Sequence, residues 1–284
     1  MDGTLDVAVV GVANIDLVTR VPKLAHDGET AFGTPLETRA GGKGLNQAVA
    51  VVKHGGRAAL AGQAGDDPWG HLLRDALVAS GVETTAFALV PGGSTAAVLI
   101  QVPASGDSAV TVTRTATTMH TIEDIDRARG VLKAAAVTIV QLELDASVID
   151  AALEATHGLR IGMLAPLQPL PARMLSALDI LVVNEAEAQA ILGLDAAGGD
   201  ELLLATALVR CGPQAAVVTL GAQGAAYADS SSTDLLAAPP ANVRDTTGAG
   251  DAFLGALALA TARGATLPDA VRAGNHAGGD AVTR

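Results

Sequence analysis

The segment Asp245-Thr246-Thr247-Gly248-Ala249-Gly250-Asp251 runs straight into the apolar stretch Phe253-Leu254-Gly255-Ala256-Leu257. Small residues before a helical run suit a loop that holds an anion. Glycine lets the backbone turn tightly, so the N–H groups of Gly248, Ala249 and Gly250 can point at phosphate oxygens where a helix dipole also favours negative charge. Asp251 is out of place in such a loop, because a carboxylate repels phosphate. It makes sense as a base that takes a proton from a nucleophile attacking that phosphate. The plainer reading of the same residues is an N-capping Asp behind a glycine turn.

A second glycine-rich segment, Gly41-Gly42-Lys43-Gly44-Leu45-Asn46-Gln47, also feeds a helix. It is not a Walker loop, since Glu37 stands where the first glycine belongs and Gly44 follows the lysine. The first strand ends in Gly11-Val12-Ala13-Asn14-Ile15-Asp16 rather than Gly-x-Gly-x-x-Gly, so a nicotinamide dehydrogenase loses its main support. Asn14, Asp16, Lys43 and Asn46 are short or charged groups beside glycines, suited to several hydroxyls of a small polyol. Each alone also reads as a turn former or a solvated helix residue.

These segments must be positioned by a scaffold, and its pattern is visible. Apolar runs at 7–12, 58–61, 137–142, 159–163, 180–183 and 215–219 predict short buried strands. Helical patterns at 44–52, 68–80, 122–134, 146–155, 186–192 and 200–210 alternate with them. Right-handed βαβ crossovers and a parallel sheet follow, with ligands at the carboxyl edge of the strands. Residues 17–40 and 87–113 break the rhythm and predict extra strands outside the main sheet, including a hairpin turning at 104–107, which together read as a lid. The 284 residues are 49% hydrophobic but only 2% aromatic, so Ala, Val and Leu must fill the core, as in helices layered on a parallel sheet.

A net charge of −12 argues against a nucleic-acid backbone or an anionic membrane as partner. Phosphate must then be bound by backbone, dipole and metal. The single Cys211 cannot form an intrachain disulfide, and the N-terminus shows no basic stretch followed by a long apolar segment, so a cytoplasmic protein is expected.

In motif order, the chain resembles the ribokinase family of carbohydrate kinases, also called the PfkB family, along nearly its whole length. The 41–48 segment resembles the first family signature, 245–253 the second, and Asn184-Glu185-Ala186-Glu187 the Asn-x-x-Glu element between them. Gly62 to Gly70 and Val218 to Ala225 match further elements. The resemblance implies one α/β domain over 1–284, a three-layer sandwich with a mostly parallel central sheet and a small β lid. It implies that Asn14, Asp16, Gly42, Lys43, Asn46 and Glu143 touch a sugar and that Asp251 is the base. It places Asn184 and Glu187 at the phosphates and magnesium, largely through water, with Thr219, Gly221 and Gly224 on the nucleotide side and Asn275 near adenine. Asp245 and Thr247 match half of a monovalent-cation site, which makes potassium an expected activator.

The expected activity is ATP-dependent phosphorylation of a primary hydroxyl, ribose to ribose 5-phosphate first, with a homodimer formed through the lid. Another sugar, a sugar acid or a nucleoside is the nearest alternative, and a non-catalytic sugar or nucleotide sensor a more distant one. Two departures from the family pattern stand out. Arg114 to Thr121 replaces the usual Pro-Gly-Ala-Asn segment, and the sequence ends at Thr283-Arg284 before the Gly-Ala segment expected to complete the cation shell.

Overall fold

The computed structural model describes residues 5–105, 108–113, 115, 117, 120–164, 170–194 and 200–283. The chain opens with β1 (Leu5–Val10), β2 (Asn14–Val21), β3 (Glu37–Gly41), α1 (Lys43–Lys53), β4 (Ala58–Gly65) and α2 (Pro68–Ala79). Next come β5 (Phe87–Val90), β6 (Ala97–Pro103), β7 (Ala109–Val112), α3 (Ile122–Ala134), β8 (Ala135–Gln141), α4 (Ala146–Ala155) and β9 (Leu159–Met163). The remainder is α5 (Ala172–Ser176), β10 (Ile180–Asn184), α6 (Glu185–Ile191), α7 (Glu201–Arg210), β11 (Ala215–Thr219), β12 (Ala225–Ala228), β13 (Thr233–Leu236), α8 (Ala249–Ala262) and α9 (Leu267–Ala281).

The main sheet has the order β13-β12-β11-β10-β9-β8-β1-β4-β5. It is parallel from β11 to β5 and antiparallel only in the hairpin β12–β13 and where that hairpin joins β11. Alternation along the strands gives each face its own core. Val7 and Val9 pack with Leu45 of α1, Leu73 of α2 and Leu254 of α8. Ala8 and Val10 pack with Ile125 of α3, Ile149 of α4 and Leu208 of α7 on the other side. With both faces covered, the strands read as continuous apolar runs.

A second sheet, ordered β3-β2-β6-β7, stands apart from the first. It is the small extra sheet expected outside the main one, called the lid, with two changes. Its first strand starts at Asn14, so Asn14 and Asp16 are themselves lid residues. Residues 87–90, assigned above to the lid, instead form β5 at the edge of the main sheet, where Phe87 pairs with Gly62 of β4. The buried Phe87 ring explains the difference, since it packs beside a residue with no side chain. The hairpin tip at 106–107 lies outside the described residues, as do Arg114, Ala116, Thr118 and Met119.

The β12–β13 hairpin and the short α5 were not anticipated. The hairpin turns on Asp229, whose Oδ1 accepts from the amides of Ser231 and Ser232. Cys211 follows α7 and is free. Among the described residues no helix is long and apolar enough to cross a membrane.

α1 and α8 lie against each other because Gly255 has no side chain. A Cβ there would meet Ala50 Cβ at 2.6 Å and Gln47 O at 2.9 Å. Gly255→Val should therefore separate the two helices that carry Asn46 and Asp251, at a cost of about 1–3 kcal/mol. A lowered denaturation midpoint, with a larger loss of activity than of folded protein, is the expected measurement.

Candidate active site

α8 begins at Gly248, whose φ of 75° lies in the left-handed region that glycine reaches without strain. Asp251 does not cap this helix, since the N-cap is Gly248 and no side chain bonds there, so the plainer reading of this acid fails. The amide of Ala249 is spent on Thr246 O at 3.2 Å, which corrects the expectation that all three loop amides face outward. The amides of Gly248 and Gly250 donate to no partner among the described residues, and a Cβ on either would meet nothing within 4 Å. Two N–H groups at a helix start therefore border open space.

Asp251 is only 8% exposed. Its Oδ2 accepts from Asn46 Nδ2 at 3.1 Å and its Oδ1 from Gln47 Nε2 at 3.0 Å. Burial pushes its carboxyl above the usual range, opposed by those two hydrogen bonds and by the charge of Lys43. A carboxylate with raised proton affinity, aimed from a helix start beside open amides, is suited to accept a proton.

Gly42, at the N-cap of α1 with φ 94°, has a packing reason for being glycine. A Cβ there would meet Val12 O at 2.6 Å and Ala13 Cα at 2.7 Å. This close approach presses the start of α1 onto the turn between β1 and β2, which brings Lys43 and Asn46 beside the turn that leads into Asn14 and Asp16. Lys43 Nζ lies 3.6 Å from Glu143 Oε2, and Asn14 Nδ2 donates to Asp16 Oδ1 at 2.7 Å. Burial raises the proton affinity of Glu143 against the pull of Lys43, with Asp251 adding to the rise. Burial does the same to Asp16, against Asn14 and Arg39.

The nucleotide-side candidates gather on the carboxyl edge of β10 and β11, where Asn184 pairs in register with Thr219. Asn184 and Glu187 form a capping box at the start of α6: Asn184 Oδ1 accepts from the Glu187 amide and Glu187 Oε2 from the Asn184 amide, each at 2.8 Å. Burial lifts Glu187 above the usual carboxylate range, opposed by that amide and by Lys43, so Lys43 acts electrostatically on Glu143, Asp251 and Glu187 together. Gly221 borders open space, whereas Gly224 is packed, since a Cβ there would strike Leu236 O at 2.0 Å.

Asn275 and Asp245 are both held by local hydrogen bonds. Asn275 is buried and its Nδ2 donates to Leu236 O at 2.8 Å, tying α9 to the end of β13 instead of presenting its donor to a base. Asp245 accepts from the Thr247 amide at 2.8 Å, and hydrogen bonds from Thr247 hold its carboxyl below the usual range, with Arg39 and Arg20 adding their positive charge. The Val282 carbonyl takes the amides of Arg244 and Asp245. Among the described residues no group of three His, Cys, Asp or Glu could cage a metal.

Three residues were missed. Gln47 and Gln141 are 0% and 1% exposed and lie behind Asp251. The visible signal was position alone, one residue from Asn46 and two from Glu143. Arg39 is the cross-strand partner of Asp16, so the two side chains share a face of the lid, and it pairs with Glu37.

The description of the pfkB family carbohydrate kinases matches residues 4–284. The chain belongs to this family. The ribokinase of Bacillus subtilis is 31% identical over 282 residues, covering 96% of this chain and 91% of that protein. The deoxyribokinase of Salmonella typhi is 32% identical over 261 residues, covering 89% and 85%. The Arabidopsis thaliana ribokinase complexed with ribose and ATP superposes with a TM-score of 0.87 at 26% identity, over 99% of this chain and 93% of that one. The protein is thus a ribokinase-type sugar kinase, a phosphotransferase with an alcohol acceptor, from a family that uses ATP with magnesium.

The raised Glu143 carboxyl has a consequence for stability. A carboxyl whose folded proton affinity exceeds its unfolded one stabilises the fold only while protonated, and that contribution is lost as pH rises through the folded pKa. Glu143→Gln should therefore make the unliganded protein more stable than the parent at neutral pH. The difference should close below the ordinary carboxylate range, while sugar affinity falls. Denaturation midpoints across pH, paired with sugar titration, check both.

Proposed function

We propose that this chain transfers the γ-phosphoryl group of ATP to the primary hydroxyl of ribose, giving ribose 5-phosphate. The observation that carries this reading is the buried Asp251, held by Asn46 and Gln47 beside the open amides of Gly248 and Gly250. Asn14, Asp16, Lys43, Asn46 and Glu143 would receive the sugar hydroxyls, with Gly42 allowing the backbone to approach. Polar groups arranged for hydroxyls discriminate strongly against an analogue that leaves one of them unpaired. In the reaction the hydroxyl attacks in line while Asp251 accepts its proton, and positioning supplies most of the rate. The Gly248 and Gly250 amides face the charge that builds on the transferred group.

Magnesium fits the nucleotide side: Glu187 keeps Oε1 outside its capping box, and with no three-acid cage among the described residues the ion would keep much of its water while neutralising phosphate charge. Thr219, Gly221 and Gly224 would border the nucleotide. The lid closes over the sugar and excludes water, and it is the surface through which we propose two copies pair, since Leu99, Val110 and Val112 are exposed on its strands. Few aromatics are available to stack on a base, which disfavours a nucleoside acceptor.

A second reading has its own observation. Arg39 shares the lid face with Asp16 and would suit a sugar acid's carboxylate, although Glu37 already pairs with it.

ADP formation across pentoses, deoxypentoses, hexoses, sugar acids and nucleosides tests the substrate, with ribose expected to lead. Asp251→Asn should lower kcat by about 10²–10⁴-fold with nucleotide binding retained, and near-normal turnover would remove Asp251 from its role. Ribose should also slow amide hydrogen exchange in β2, β3, β6 and β7; unchanged exchange there would argue against closure.

A further inference from the structure

Behind Asp251, two buried carboxamides and one backbone amide form a line. The Val12 amide donates to Gln141 Oε1 at 2.8 Å, Gln141 Nε2 to Gln47 Oε1 at 3.4 Å, and Gln47 Nε2 to Asp251 Oδ1 at 3.0 Å. A carboxamide is nearly symmetric in shape, so its orientation is set by its partners. Here the ends decide it. A backbone N–H can only donate, so Gln141 must turn its oxygen to Val12 and its nitrogen to Gln47. Gln47 must then turn its own nitrogen to Asp251. Reversing either amide would set N–H against N–H at one junction, or oxygen against carboxylate at the other, in a place water does not reach.

The packing is fitted to this line. Gly11 leaves the space that the Gln141 head fills, because a Cβ on Gly11 would lie 2.4 Å from its carboxamide carbon. Gly255 lets α8 approach the backbone of Gln47. The second N–H of Gln47 faces Met163 Sδ at 3.1 Å, a weak acceptor that does not compete with the carboxylate.

We infer that Gln47 and Gln141 are positioning residues for phosphoryl transfer: polarity fixed at the Val12 backbone is passed through two buried carboxamides, so that Asp251 always receives a donor on Oδ1 and keeps Oδ2 turned toward Asn46 and the sugar. This inference rests on Asp251 being the base. A donor on Oδ1 favours the ionised form against burial, so losing it should leave the carboxyl protonated to higher pH. The other charged groups acting there are Lys43, from α1, and Glu143, just past β8, and neither is altered by the test.

The test compares the full-length parent with Gln47→Met, Gln141→Met and the double variant, recording kcat and KM for ATP and ribose from acid to alkaline pH. Methionine keeps the volume and removes both polar atoms. In Gln47→Met the acid limb of kcat should move up by about one pH unit, equivalent to roughly tenfold at a fixed pH on that limb, with KM for ATP unchanged. Gln141→Met should shift it the same way by less. The double variant should match Gln47→Met alone, because residues acting in series do not add. Gln47→Glu, which puts a second carboxyl beside Asp251, should shift the limb further and serves where a methionine variant folds poorly. Acid limbs at the parent's position in all variants, with Asp251→Asn inactive, would overturn the inference while leaving the base in place. An active Asp251→Asn would remove the base itself, and the positioning role with it.

Discussion

The structure turns on a carboxylate that is buried and, in the proposed reaction, must still ionise. Burying an ionised carboxylate is costly unless hydrogen bonds offset the lost hydration. Asp251 has donors on both oxygens, from two consecutive residues of α1. That arrangement requires α1 and α8 to lie closer than ordinary side chains allow, which explains Gly255. It also requires the start of α1 to press on the turn after β1, which explains Gly42 and Gly44, where added Cβ atoms would collide with the backbone of residues 11–14. Glycines far apart in sequence thus serve one contact.

The sheet supplies the rest by topology. β1, β8, β10 and β11 run parallel, so their carboxyl ends emerge on one edge, and from that edge come the turn into Asn14, Glu143, Asn184 and the loop at Gly221. Covering both faces with helices leaves that edge as the place where polar groups can collect without breaking a core. β2 continues from β1 almost at once, after three residues. The lid therefore carries Asn14 and Asp16 on its own first strand, and any movement of the lid moves these proposed sugar contacts relative to Asp251.

Elements dominated by local pattern were legible in the sequence. The apolar runs and amphipathic helices gave six of the main-sheet strands within a few residues, because alternation and capping are decided nearby. Asp251, Asn46 and Lys43 were visible because charged or amide groups beside glycines are locally unusual. What was not legible depended on distant partners. Phe87 looked like the start of a lid strand until Gly62 gave its ring a place at the sheet edge. Gln47 carries no local sign of its role, since its partners Gln141 and Asp251 are 94 and 204 residues away. Asn275 was placed on the right helix, but its donor goes to a β13 carbonyl that belongs to an unanticipated hairpin.

An acidic chain that handles a polyphosphate raises a last electrostatic question. With a net charge of −12 and burial-raised carboxyls at Asp16, Glu143, Glu187 and Asp251, a general positive field cannot draw ATP in. In the proposed reading attraction is local: the open amides at the start of α8 with its dipole, and one lysine that acts on three of those four carboxyls. The same acids make a charge-neutralising ion on the phosphates useful, since it would reduce repulsion between Glu187 and the nucleotide. Binding through backbone amides depends on geometry more than on charge. In the proposed reaction a displaced α8 would therefore cost the phosphate-facing amides and the proton acceptor together, which places the tightest demand on the α1–α8 contact.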